Sequence, residues 1–304
     1  MTATATRPST VRIWLLAIRP ATLPAALSGV VVGLGATLAV DTPFRLDTAL
    51  GCLAVALLLQ ITANLSNDLS DFRKGADTPD RTGPIRVAAA GLVTPRQLEV
   101  AIALVIGLAG VVGLWLTTVG GPVLLLVGVL AVVASLAYTG GPWAYGYRGL
   151  GEVFVFVFFG FVAVVGTAYL QAGRVEPLFW VAAMPVGALT TAILVVNNLR
   201  DIPTDTAAGK RTLAVMLGVH LTRLEYAALL FMAFVIPVAL VVVGRGLPVL
   251  LPLLALPLAS PLLRTVRTFS EPRQLNLVLK GTARLALVYG VLFATGLAIG
   301  GAIG

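Results

Sequence analysis

Asp68 and Asp71, preceded by Asn64 and Asn67, and Asp201 and Asp205, preceded by Asn197, are the residues of this 304-residue chain whose types and spacing suit chemistry. On a helix Asn64, Asp68 and Asp71 fall at i, i+4 and i+7 and share one stripe, with Asn67 at its border. Asp201 and Asp205 are i, i+4 neighbours if their helix continues through Pro203, a residue able to kink or end it. Either cluster alone is an ordinary polar helix end. Together they are two sets of hard oxygen ligands whose like charges repel unless a cation neutralises them, the donor chemistry that suits Mg²⁺. Magnesium commonly completes its shell with substrate phosphates. Bases flank both clusters: Lys74, Arg81 and Arg86 follow the first, and Arg200, Lys210 and Arg211 surround the second. Arginine forks grip phosphate oxygens and lysine supplies a point charge, so a phosphorylated substrate is expected.

These side chains are positioned by a chain built for lipid. The residues are 58% hydrophobic and 11% charged, and the mean hydropathy is +0.99. No soluble globular domain has that balance. Nine apolar segments are long enough to cross a bilayer, at residues 20–40, 48–70, 96–118, 121–138, 150–171, 177–199, 222–243, 247–264 and 284–303. Gly120, Gly121 and Pro122 make the third and fourth a tight hairpin. Residues 1–304 then form one transmembrane domain, and no cleaved signal peptide is read before the first span. The formal charge of +8 reports orientation rather than nucleic-acid binding. With the N-terminus in the cytoplasm, 18 of the 21 Lys and Arg residues lie inside, leaving Arg45, Arg174 and Arg245 outside. Ten of the 13 acids, both clusters included, fall on the cytoplasmic side. The C-terminus is then outside. The longer loops are also inner, where function-bearing loops are expected, and each acidic cluster ends an even-numbered span, which hints at two similar halves. Cys52 is the only cysteine, so no intrachain disulfide forms, and His220 is read as a surface residue. Intramembrane acids also mark ion pathways, which makes a cation-coupled transporter the rival from another class; its acids are expected near the midplane.

The motifs resemble those of the UbiA superfamily of intramembrane prenyltransferases, most closely its 1,4-dihydroxy-2-naphthoate polyprenyltransferase branch. The resemblance runs from Arg19 to Pro24, through Asn67 to Asp77, Arg81 to Arg86, Tyr138 to Pro142, Tyr145 to Glu152 and Asn197 to Asp205, to the segment from Gly209 to Val215. It implies an all-α polytopic fold, with nine helices around a cavity opening to the cytoplasmic side of the plasma membrane. It also implies Mg²⁺-dependent transfer of a polyprenyl group from its diphosphate to the naphthoate, with loss of CO₂ and diphosphate, giving demethylmenaquinol. Siblings of the superfamily use 4-hydroxybenzoate or homogentisate. Carried onto this chain, the metal set is Asn67, Asp68, Asp71, Asp77, Asp201 and Asp205, with Asp68, Asp71, Asp201 and Asp205 catalytic. The diphosphate set is Lys74, Arg81, Arg86, Lys210 and Arg211. Arg19, Tyr138, Arg148 and Asn197 are expected at the acceptor, Arg148 standing in for the lysine that 4-hydroxybenzoate relatives carry shortly after the tyrosine and that this chain lacks. In the wider superfamily the first motif ends in an acid where this chain has Gly75, so Asp77 takes that part, with Asp80 in reserve. Phe154, Phe156, Phe158, Phe159, Phe161 and Tyr169 are candidates to wall an allylic cation, although their spacing puts them on more than one helix face.

Overall fold

The computed structural model describes residues 8–77 and 82–303. They form ten helices and no strand. Helix α1 (Thr10–Ile18) is capped by Ser9, whose hydroxyl accepts from the Arg12 amide, and it stops at Arg19, a left-handed residue at φ 55°. After one 3₁₀ turn, α2 (Leu23–Leu38) continues, so the first membrane passage is a helix broken at Arg19. Then follow α3 (Leu46–Arg73), α4 (Pro95–Gly120) and α5 (Val123–Ala137). The second half holds α6 (Gly151–Ala172), α7 (Pro177–Ala207), α8 (Leu213–Val242), α9 (Leu247–Thr268) and α10 (Leu275–Ile303).

Eight of these passages are long and apolar enough to cross a membrane. The segment expected at 121–138 folds as α5, only 15 residues long. Two boundaries move for a polar reason. The last helix begins at Leu275, nine residues before the apolar run at 284, because Asn276, Lys280 and Arg284 continue it beyond the apolar stretch. Helix α8 likewise starts at Leu213, with a bend at Gly218, φ 72°. Pro203 does not end α7, which runs on to Ala207.

Helix α7 is the buried centre, packed on α8, α10 and the middle of α6, whereas α4 is peripheral. Its neighbours approach through small residues. A methyl group on Gly160 of α6 would stand 2.8 Å from the Gly187 Cα of α7, so only glycine permits that crossing. Just there α6 opens into a π-helical turn, Phe156–Val162. The outer surface of α4 and α5 is a belt of exposed Leu104, Leu108, Val111, Leu125, Leu126 and Val129, the surface a lipid-immersed protein needs. Successive passages, α1 and α2 counting as one, alternate in direction. The C-terminal ends of α3 and α7 therefore lie on one face, and Arg45, Arg174 and Arg245 on the opposite one.

Candidate active site

The two acidic clusters sit on identical helix endings. Helix α3 closes with Gly75 in the left-handed region, φ 65°; the Gly75 amide donates to the Phe72 carbonyl and the Ala76 amide to the Asp71 carbonyl. Helix α7 closes with Gly209 at φ 70°, its amide donating to Thr206, and the Lys210 amide to Asp205. Both are Schellman caps, in which the acid three residues inside the cap lends its carbonyl to the turn and its side chain to the space beyond. This explains Gly75: the helix must turn there, a step that costs glycine least, and an acid at that position would no longer lie on the stripe.

The side chains meet at the mouth of one cavity of about 390 Å³. Asn64, Asn67, Asp71, Arg86, Asn197, Asp201, Asp205 and Lys210 line its polar end. Asp71 is the hub. Its Oδ2 accepts from Arg86 Nη2 at 3.0 Å, and its Oδ1 accepts from the Tyr147 hydroxyl at 2.6 Å and lies 3.4 Å from Lys210 Nζ. The same ammonium is 3.7 Å from Asp205 Oδ1. One cation thus bridges a carboxylate from each cluster. Asp201 faces the cavity but is gripped side-on by Arg200, whose Nε donates to its Oδ1 at 2.8 Å and whose Nη2 donates to its Oδ2 at 2.6 Å. Among the described residues no three carboxylates, cysteines or histidines converge as a closed metal cage.

Several expected residues take other parts. Asp68 does not line the cavity: its carboxylate accepts from the backbone amides of Val87 and Ala88 at 3.0 and 3.1 Å, and Arg19 Nη2 lies 4.0 Å away. It pins the Val87 and Ala88 backbone, next to Arg86, against α3. Asp77 lies beside Arg86, 3.5 Å from its Nε. Arg200 is a correction: it is buried, and besides Asp201 it donates to Asn197 and Asn276, so its fork is filled by protein. Arg148 is another, because it lies over the exposed Trp143 ring, outside the cavity. Arg211 is exposed, while its amide donates to the Tyr147 carbonyl. Arg81 and Asp80 lie outside the described residues. Arg19, Tyr138 and Asn197 do line the cavity. Of the proposed aromatic wall, Phe154, Phe158 and Phe159 face it; Phe156 and Phe161 pack into the core, and the Tyr169 hydroxyl donates to the Gly120 carbonyl. Burial, chiefly, raises Tyr147 well above the ordinary phenol range, so it remains a hydroxyl donor.

Beyond the mouth the lining turns apolar, ending at Cys52, Leu116, Leu124 and Leu170. Asp71 and Cys52 lie 19 residues apart on α3, so the cavity reaches about 28 Å down that helix. A charged mouth and a deep apolar barrel suit an amphiphile with an anionic head and a long hydrocarbon tail.

The model of the UbiA prenyltransferase family matches residues 26–278. The chain belongs to that family. UbiA relatives named 1,4-dihydroxy-2-naphthoate octaprenyltransferase are 42% identical in Mycobacterium tuberculosis, covering 94% of this chain and 97% of the relative, and 38% identical in Escherichia coli, covering 95% and 96%. Among solved structures, a UbiA homolog from Aeropyrum pernix K1 superposes with a TM-score of 0.67 at 18% identity, covering 90% of this chain and 97% of that one. One from Archaeoglobus fulgidus bound to GPP and Mg²⁺ gives 0.63 at 15%, covering 92% and 99%. These share the UbiA fold. Tyr147, within the UbiA-like block from Tyr145 to Glu152, was given no role by sequence reasoning; its one signal is an aromatic residue in a glycine-rich turn beside Arg148.

Proposed function

We propose that this UbiA protein transfers a polyprenyl group from polyprenyl diphosphate to 1,4-dihydroxy-2-naphthoate, releasing diphosphate and CO₂ and giving demethylmenaquinol. The observation that carries the reading is a cavity with a carboxylate-and-base mouth and about 28 Å of apolar depth, in a chain 42% identical to a naphthoate octaprenyltransferase.

The diphosphate binds at the mouth, where Arg86 and Lys210 supply charge and Lys74 stands at the rim, 4.6 Å from the Tyr147 ring, and its tail enters the barrel between α3, α5 and α6. Asp71 and Asp205 flank a position where a cation already sits, the Lys210 ammonium; their hard oxygens, with Asp201, Asn67 and Asn197 beside them, fit Mg²⁺. When bound there, Mg²⁺ neutralises charge on the leaving diphosphate. Asp68 serves the same site by holding the loop that carries Arg86. The C1–O bond breaks with its electron pair going to diphosphate, and the allylic carbon becomes electron-poor against Phe154, Phe158 and Phe159. The ring carbon bearing the carboxylate forms the new C–C bond. The carboxylate leaves as CO₂, its bond pair restoring the aromatic ring, so no ring proton has to be taken by a base. Arg19, Tyr138 and Asn197, all on the cavity wall, hold the acceptor.

The chain lies in the plasma membrane with nine passes, α5 being the ninth and shortest, its N-terminus and mouth cytoplasmic and its C-terminus outside. The lysine and arginine asymmetry supports that orientation. Acids confined to one mouth, with an apolar interior beyond, argue against an ion pathway. The test is an assay of the purified protein with a polyprenyl diphosphate, Mg²⁺ and each of 1,4-dihydroxy-2-naphthoate, 4-hydroxybenzoate and homogentisate. Prenylation of the naphthoate with stoichiometric CO₂ is expected; turnover of another acceptor alone overturns the assignment.

A further inference from the structure

Tyr147 stands between the two helix endings that build the mouth. It lies in the short turn Tyr145–Arg148, its carbonyl accepting from the Arg211 amide at 3.0 Å and its hydroxyl donating to Asp71 at 2.6 Å. Through these two bonds it clasps the end of α3 to the segment after α7. Two ammonium groups converge on its ring: Lys74 Nζ is 4.6 Å and Lys210 Nζ 4.7 Å from the centroid. Lys74 is the cap residue of α3 and Lys210 follows the cap glycine of α7, so the ring gathers one lysine from each half of the molecule. Like charges brought so close repel. Two features offset the repulsion here, the negative face of the ring and the shared Asp71 carboxylate. Lysine is otherwise a mobile point charge on a flexible stem, and Lys74 is further tethered by donating to the Thr139 carbonyl at 2.6 Å.

We propose that Tyr147 is a positioning residue for the diphosphate: its ring sets the separation of Lys74 and Lys210 so that they meet a ligand with two linked phosphoryl groups, while its hydroxyl orients Asp71. The inference rests on reading the mouth as a prenyl diphosphate site. It distinguishes a diphosphate from a single phosphate, because two cations held at a fixed spacing on one ring reward a doubly anionic, two-centred head.

The experiment measures binding of inorganic diphosphate and of inorganic phosphate to the full-length protein in detergent, by calorimetry with and without Mg²⁺, alongside steady-state kinetics. Tyr147→Phe keeps the ring but removes the hydroxyl donor to Asp71, so it is expected to hold diphosphate affinity without Mg²⁺ within about twofold of wild type and to weaken only the Mg²⁺-dependent part. Tyr147→Leu is expected to lose about tenfold or more in diphosphate affinity and little in phosphate affinity, with a rise in prenyl diphosphate KM that exceeds any fall in kcat. Lys74→Met should cost much less in the Tyr147→Leu background than alone, since the ring acts through the lysine. Undiminished diphosphate affinity in Tyr147→Leu, equal losses in the Phe and Leu variants, or additive effects of Tyr147→Leu and Lys74→Met would each overturn the role of the ring. A wild-type protein that binds no diphosphate overturns the reading of the mouth itself, and so separates the two failures.

Discussion

Asp68 and Asp71 are three residues apart on one helix stripe, yet they do different work. Asp71 faces the cavity and gathers Arg86, Tyr147 and Lys210, whereas Asp68 is saturated by two loop amides. Substitutions should separate them. Asp71→Asn or Asp201→Asn is expected to lower Mg²⁺-dependent turnover by about a hundredfold or more with the protein still folded and membrane-inserted; near-normal turnover in both would refute shared metal binding. Asp68→Ala should instead leave two buried amides unpartnered, cost about 1–3 kcal/mol, and expose the α3–α4 loop to limited proteolysis. The sequence made the clusters legible because carboxylates ending apolar runs are costly and therefore rare. It could not divide the labour within them, since the partners of Asp68 are backbone amides in an irregular segment with no periodicity. The same limit explains Arg148 and Tyr147. Neighbours in one turn, they point to different places, one over Trp143 outside the cavity and one into the mouth.

The helices themselves were almost fully legible, because hydropathy over some 20 residues is a strong signal and these runs are seldom interrupted. What hydropathy misses is where helices bend or outlast the apolar stretch. The break at Arg19, the bend at Gly218 and the π-helical turn at Phe156–Val162 all lie inside uniformly apolar or mixed sequence. That turn lies within the aromatic run of α6, where Phe158 and Phe159 line the cavity and Phe156 and Phe161 do not. On α5, Gly128 lines the barrel with open space where a side chain would stand. Gly128→Phe is therefore expected to fill the barrel below the mouth: the KM for a long polyprenyl diphosphate should rise about tenfold while geranyl diphosphate is spared. Competition between the two diphosphates in one reaction reads this directly, and an unchanged preference would mean that the tail takes another route.

Across the whole molecule the sidedness of charge matches the alternation of helix directions. Arg45, Arg174 and Arg245 share the face opposite the mouth; Gln171 exchanges hydrogen bonds with the Arg45 backbone, and Arg174 bonds Glu176 and the Val40 carbonyl. Arg245→Ala should be nearly silent in turnover. Arg245→Cys should react in intact cells with a membrane-impermeant maleimide; labelling only after the cells are opened would invert the topology. The two acidic clusters end in the same Schellman geometry, a likeness of backbone that the sequence shows only as two lysines near two glycines. Helix α5 carries a consequence for the surrounding lipid. At 15 residues it is about 22 Å long, against about 30 Å of hydrocarbon in an ordinary bilayer. One side lines the barrel and the other, with Leu125, Leu126 and Val129, is exposed, so a single short helix separates cavity from acyl chains. As the proposed ninth pass it would require the bilayer to pinch inward along it, with a mismatch strain that grows with acyl-chain length. Turnover in reconstituted vesicles should accordingly fall from short-chain to long-chain phosphatidylcholine, tying the rate of the enzyme to the thickness of its membrane.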